Sequence, residues 1–155
     1  MHRQFLILAI VILGLSSYAQ KDDNTSKNKK FAREYVEALN QKNWIEKVKP
    51  FFTPTDYDQF KIDHGKFRIA FPDYHFTINM VVAQGDSVVI IGTATATHTA
   101  EFPVGEFKGV APTGKHLQWK ELWVCRIANG KFGDSWMMTD NLARMKQLDI
   151  RCLPE

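Results

Sequence analysis

The sequence holds only two cysteines, Cys125 and Cys152. Two cysteines build neither a disulfide framework nor a zinc site. No histidine pair has the His-x-x-x-His spacing of a helical metal site, so no metal is expected. The chain also lacks a Gly-x-Ser-x-Gly elbow, a phosphate-binding loop and a dinucleotide fingerprint. Hydrolysis by a serine nucleophile is therefore unsupported, and no cofactor is expected. Surplus charge is small: 20 Lys and Arg against 17 Asp and Glu leave a formal +3. Without a stripe of basic residues interleaved with aromatics, nucleic acid is not an expected partner. There are no repeats and no low-complexity segments.

What is present is 155 residues of ordinary globular composition, 45% hydrophobic and 24% charged. That is one domain's worth, long enough to bury a sizeable core. Aromatics are plentiful, with Phe 11, Trp 4 and Tyr 4. The first nineteen residues stand apart. "MHRQ" carries Arg3, "FLILAIVILGL" is an apolar run from Phe5 to Leu15, and "SSYAQ" sets Ser17 and Ala19 at small-x-small spacing. This reads as a secretory signal peptide over residues 1–19, cleaved after Ala19. The run is too short for a stable membrane anchor, and no Cys follows it to carry a lipid. The expected protein is exported, periplasmic or secreted, and begins at Gln20. Residues 20–27, "QKDDNTSK", read as a disordered linker, 28–150 as the domain and 151–155 as a tail.

Along the domain the hydrophobic period changes once. Phe31, Tyr35, Val36, Ala38 and Leu39 fall at helical spacing, and the helix starts near Ser26. A short second helix follows, with Trp44, Ile45, Val48, Phe51 and Phe52 inward and Pro50 as its stop or kink. Thr55 or Asp56 can cap a third helix from about Tyr57 to Ala70. From Tyr74 the period is two. A hairpin turns at Gly85-Asp86. Its second strand sets Gly92, Ala94, Ala96, His98 and Ala100 on one face and Thr93, Thr95, Thr97 and Thr99 on the other. A Gly- and Pro-rich loop over 103–114 leads to the strand "KHLQWKELWVCRI". The turn "ANG", a last strand and a short helix or docked tail "NLARMKQLDI" complete the chain. Helices first and a strand meander second make an α+β pattern. Cys125 lies mid-strand, where a cysteine is usually a small buried hydrophobe; whether it pairs with Cys152 stays open.

A set of short motifs then becomes informative through its order. "FPD" precedes the first long strand, "GD" marks the first turn and "THTAEF" ends the second strand. "PTGK" precedes the third strand, "NGK" marks the next turn, Trp136 stands four residues before Asp140, and "QL" lies near the end. In this order, over roughly residues 30 to 148, the chain resembles the SnoaL-like polyketide cyclases and ester cyclases of the nuclear transport factor 2-like superfamily. The resemblance implies a cone-shaped, curved antiparallel sheet packed against three N-terminal helices, with a pocket inside for a small, largely apolar molecule. It implies cofactor-free acid/base chemistry of the aldol-cyclase or isomerase type, and a homodimer paired across the convex sheet faces. Its general acid/base would match Asp140. Such cyclases carry a pocket histidine soon after the second helix, where this chain reads "FFTPTDYDQF".

The candidate residues follow. Strict alternation puts Trp136, Met138 and Asp140 on one face, so Asp140 is either a base against an apolar wall or the N-cap of the helix in "TDNLARM". His98, beside Ala94 and Ala96, is a second catalytic candidate. Trp136, Met138, Ala94, Ala96, Phe51 and Tyr57 are the expected ligand-binding set. Glu121 lies between Trp119 and Trp123. A two-residue Asn129-Gly130 turn places it opposite Met138, and a bulged three-residue loop turns it to the other face; an ion pair on the outer surface is the favoured reading. His64, His75 and His116 rank lower. The alternative to an enzyme is a small-molecule-binding or homodimeric assembly domain without turnover.

Overall fold

The computed structural model describes residues 24–150; the expected signal peptide, residues 20–23 of the expected linker and the tail with Cys152 lie outside the described residues, while residues 24–27, read as linker, are the first turn of a helix. Helix α1 covers 24–39. It is followed by α2 (Trp44–Val48), a 3-10 turn over Lys49–Phe51 and α3 (Pro54–Ala70). The strands are β1 (His75–Gln84), β2 (Ser87–Thr97), β3 (His116–Ala128) and β4 (Lys131–Thr139), and α4 (Asn141–Leu148) closes the chain. The strands form one antiparallel sheet in the order β1-β2-β3-β4. This is the expected α+β arrangement of helices followed by a four-stranded meander.

Local chemistry accounts for the boundaries. α3 begins earlier than its apolar pattern suggests. Pro54 occupies the first turn, where its missing N–H costs nothing, and Thr53, not Thr55 or Asp56, caps the helix by accepting from the Asp56 N–H at 3.3 Å. The turn between β3 and β4 has two residues, since Ala128 pairs with Lys131. Asn129 at φ 53° and Gly130 at φ 68° take up the left-handed conformations that such a turn requires.

The core lies between α1–α3 and one face of the sheet. From β2 that face presents Val88, Ile90, Gly92, Ala94 and Ala96, and from β3 Leu117, Trp119, Glu121, Trp123, Cys125 and Ile127. Glycine at 92 has a specific cause. A Cβ there would lie 2.2 Å from Cζ of Phe76 and 2.6 Å from the Thr77 carbonyl. The small-residue face of β2 is therefore filled by neighbouring rings, with Phe76 stacked on Trp123 at 4.2 Å.

Two irregularities redirect side chains. In β4, Cys125 pairs with Ser135 but Ile127 pairs with Phe132. One extra residue near Gly133 and Asp134 makes a bulge that reverses the alternation behind it. Beyond the bulge Ser135, Met137 and Thr139 share the inner face with Cys125, Trp123 and Glu121, while Trp136 and Met138 pair with Val124 and Leu122 on the outer face. A second bulge lies between Ile78 and Met80 in β1. As a result Val82, Val89, Val124 and Trp136 form one apolar row across all four strands, and Met80, Ile91, Leu122 and Met138 form a second beside it.

Candidate functional site

A cavity of about 560 Å³ opens between the helices and the β3–β4 half of the sheet. Its walls are aromatic: Tyr35, Phe52, Phe60, Phe67, Trp123 and Phe132. Phe107 of the loop after β2 lies against Arg144 of α4, Phe102 packs on Phe107, and both line the cavity. Among the polar side chains that line this space are His64, Tyr74, Glu121 and Arg144, and none of them was a leading candidate on sequence.

Glu121 is the centre of the arrangement. It is 5% exposed and stands on β3 opposite Gly92 and Thr139. Trp119 and Trp123 flank it two residues away on either side, hence on the same face. Trp119 Nε1 donates to Oε1 at 2.6 Å. Trp123 Nε1 and the Tyr74 hydroxyl donate to Oε2 at 2.8 and 3.0 Å. Burial first, then the negative charge and hydrogen bond of Glu121, push the Tyr74 phenol well above its ordinary range. The outer-surface ion pair favoured on sequence is corrected by this geometry: the carboxylate is inside and its partners are neutral donors. Glu121 faces Thr139 rather than Met138 because of the β4 bulge.

His64 reaches the cavity from α3. Arg68, one turn on, donates from Nε to His64 Nε2 at 3.3 Å. The Arg68 fork is itself pinned, with Nη1 donating to the Tyr74 carbonyl at 2.7 Å and Nη2 to the Leu39 carbonyl at 2.8 Å. Burial, and secondarily the Arg68 charge, push His64 down to about 3. The imidazole is therefore neutral near pH 7. Since Nε2 accepts from Arg68, the hydrogen-bond pattern assigns the proton to Nδ1. The ring stacks on Phe60 at 5.0 Å and 14°. Two hydrogen-bonded groups therefore meet at Tyr74: its hydroxyl serves Glu121, and its main-chain carbonyl accepts from Arg68, which in turn donates to His64.

The residues expected from sequence are distributed differently. Asp140 is exposed; it caps α4, its Oδ1 accepting from the Ala143 N–H at 2.9 Å, and it does not line the cavity, although Thr139 and Asn141 on either side of it do. Trp136 lines the rim and is 55% exposed; Met138 is 62% exposed on the outer face. The wall of Trp136 and Met138 beside Asp140 is thus corrected to Met137 and Thr139. His98 is fully buried just beyond β2, against Phe71 and Phe102, with Nδ1 3.3 Å from the Thr113 hydroxyl. Burial lowers its pKa, and it is not part of the cavity wall. Ala94 and Ala96 are core residues under Trp119 and Leu117. Phe51 packs on Phe31 and Tyr35, and the Tyr57 hydroxyl donates to the Ile45 carbonyl at 3.0 Å; both stand behind the cavity. Cys125 lines the cavity as a neutral thiol, pushed up to about 11 by burial.

Signals for the missed residues existed. Glu121 shares its strand face with two tryptophans, whose indole N–H groups need acceptors once buried. His64 precedes Arg68 by four residues, the spacing at which helix side chains meet.

Helices and a four-stranded antiparallel sheet enclosing an aromatic cavity with a buried carboxylate define an α+β class of domain. The sequence profile of the SnoaL-like polyketide cyclases matches residues 29–148, and the chain belongs to that family. Solved structures agree. AclR from Streptomyces galilaeus, provisionally assigned as a hydroxylase, is 26% identical with a TM-score of 0.66, covering 81% of this chain and 97% of its own. A protein of Acidithiobacillus ferrooxidans, provisionally assigned as a polyketide cyclase, is 25% identical with a TM-score of 0.68 over 81% of this chain and 96% of its own. One from Jannaschia sp. CCS1, provisionally assigned as a SnoaL-like polyketide cyclase, has a TM-score of 0.69 at 20% identity, over 83% of this chain and 96% of its own, and shares the fold. No curated protein matches the sequence.

Proposed function

We propose that this domain binds a small, largely apolar, carbonyl-bearing molecule in the cavity and moves a proton at the carbon beside that carbonyl without a cofactor, as an aldol cyclase or isomerase does. The observation that carries the reading is the presence of Glu121 and His64 on the wall of one aromatic cavity, each held in place by its own hydrogen bonds. A neutral imidazole with its proton on Nδ1 is a donor for a carbonyl oxygen that gains negative charge. Glu121 is the buried carboxylate among those lining the same cavity. Asp140 is the alternative base implied by the family resemblance.

The test needs no natural substrate. Wild-type protein is expected to accelerate solvent deuterium exchange at the α-carbon of 2-tetralone, followed by NMR. Glu121→Gln and His64→Gln are each expected to reduce the rate by about 10²- to 10⁴-fold, and Asp140→Asn to leave it unchanged. Loss in Asp140→Asn alone moves the base to Asp140. Binding with no acceleration in the wild type leaves the non-catalytic reading. Export after cleavage near Ala19 belongs to the same proposal, and a mature N-terminus at Met1 in the native host would remove it. The proposed homodimer is supported by the two apolar rows on the outer sheet face.

A further inference from the structure

Arg144 is a buried cation to which the described residues give no counter-ion. It is 7% exposed and lines the cavity that holds Glu121 and His64. Burying a guanidinium is costly unless its charge and its N–H groups are met. Here its Cζ lies 4.6 Å from the ring centre of Phe107 and 5.4 Å from that of Trp119, and faces of this kind attract a cation. Nη2 donates to the Asn141 side chain. Nε has no hydrogen-bond partner, and among the described residues no carboxylate forms an ion pair with the guanidinium. The acidic groups around it are Glu121, Glu106 and Tyr74, and they act only at a distance against the pull of burial. Glu121 cannot turn to it without releasing Trp119, Trp123 and Tyr74. Glu106 stands exposed on the loop that carries Phe107.

A fixed, desolvated cation at the wall of an apolar cavity, two residues of cage behind it and free N–H capacity, is the environment that recognises an anionic oxygen. We propose that Arg144 anchors a carboxylate on the ligand, so that the molecule taken by this cavity is an apolar, ring-sized carboxylic acid. This rests on the small-molecule reading given above and narrows it to a substrate class. The carboxylate meets Arg144, the apolar body fills the space between Phe60, Trp123 and Phe132, and Glu121 stays bound to its three donors. Arg144 is here a binding residue; no bond-making step is assigned to it.

Two probes of the same shape separate the charge from the hydrophobic contribution: 1-naphthoate and 1-naphthamide, titrated calorimetrically into the full chain at neutral pH. The wild type is expected to bind naphthoate about tenfold or more tighter than naphthamide, the strength of one charged hydrogen bond. Arg144→Met, which keeps an apolar stem against Phe107 and Trp119, is expected to lose the preference while retaining affinity for naphthamide. Arg144→Lys, which keeps the charge, is expected to retain part of the preference and serves if the Met variant does not fold. Glu106→Gln is expected to leave the preference intact. Equal binding of the two probes by the wild type overturns the assignment while leaving the small-molecule reading in place, as does a preference that survives in Arg144→Met. Failure of both probes to bind overturns the two readings together.

Discussion

Each face of the sheet holds residues that depart from the usual distribution of polarity. On the inner face a glutamate is 5% exposed; on the outer face, one strand away, Trp136 and Met138 are 55% and 62% exposed. Both faces are built from the same strands, β3 and β4, with alternate residues. A buried charge and an exposed large apolar residue are each informative departures from the rule that apolar groups go inside. Inside, three neutral donors answer the carboxylate, and the space beside it stays open. Outside, the strip from Val82 to Trp136 and from Met80 to Met138 has no described element over it. The proposed chemistry belongs to the inner face, which excludes water, and the proposed pairing with a second copy belongs to the outer face.

The inner face is the more fragile. Glu121→Ala leaves the indole N–H groups of Trp119 and Trp123 and the Tyr74 hydroxyl buried without an acceptor, at about 1–3 kcal/mol each. A loss of about 3–5 kcal/mol is expected by urea unfolding; a loss under about 1 kcal/mol would break the contrast between the faces. Gly92→Ala drives a methyl into Phe76, opposite Glu121. It should cost about 1–3 kcal/mol, with a shift in the near-ultraviolet signal of Trp123, on which Phe76 stacks.

Acid sharpens the same comparison. His64 and His98 both titrate lower when folded than the usual 6.5. Between about pH 6.5 and the folded values the unfolded chain takes up protons that the folded chain refuses, so stability is full above 6.5 and falls as the pH is lowered. For His64 the window reaches down to about 3. His64→Gln, which still offers Arg68 an acceptor, should flatten the decline between urea titrations at pH 7 and pH 4.5; an unchanged slope would show that His64 is not the group responsible.

Asp140 sits where the two faces meet the final helix. Asp140→Ala should cost about 1 kcal/mol and Asp140→Asn almost nothing, because Asn caps as well as Asp; equal losses in the thermal melts of the two would argue that the carboxylate does more than cap. The smallest effect on folding is expected outside. Trp136→Lys with Met138→Lys should change monomer stability by no more than about 0.5 kcal/mol. Light scattering should nonetheless find the double variant monomeric at concentrations where the wild type has dimer mass, and a wild-type monomer would remove the proposed pairing.

Much of the fold was legible because its signals are local. The change of period at Tyr74, the small-residue face of β2 and the Asn129-Gly130 turn each depend on residues a few positions apart. The site was legible only in part. Alternation counted through β4 from Phe132 gave Trp136 and Met138 the wrong face, because a single added residue near Gly133 reverses everything after it. Glu121 was read as a surface charge because charged residues are rarely buried, and His64 ranked low because its partner Arg68 and its stacking ring Phe60 acquire meaning only once α3 lies against the sheet.

By itself the sequence determined the order of elements, the positions of the two hairpin turns and the family, since backbone preferences and hydrophobic period are properties of neighbouring residues. Only the tertiary structure decided which carboxylate is inside. Glu121 takes one of its donors, Tyr74, from 47 residues away, and the β4 bulge decides that Thr139 lies opposite it. A group's burial, and therefore its charge partners, depends on what other elements pack over it, and no window of adjacent residues contains that.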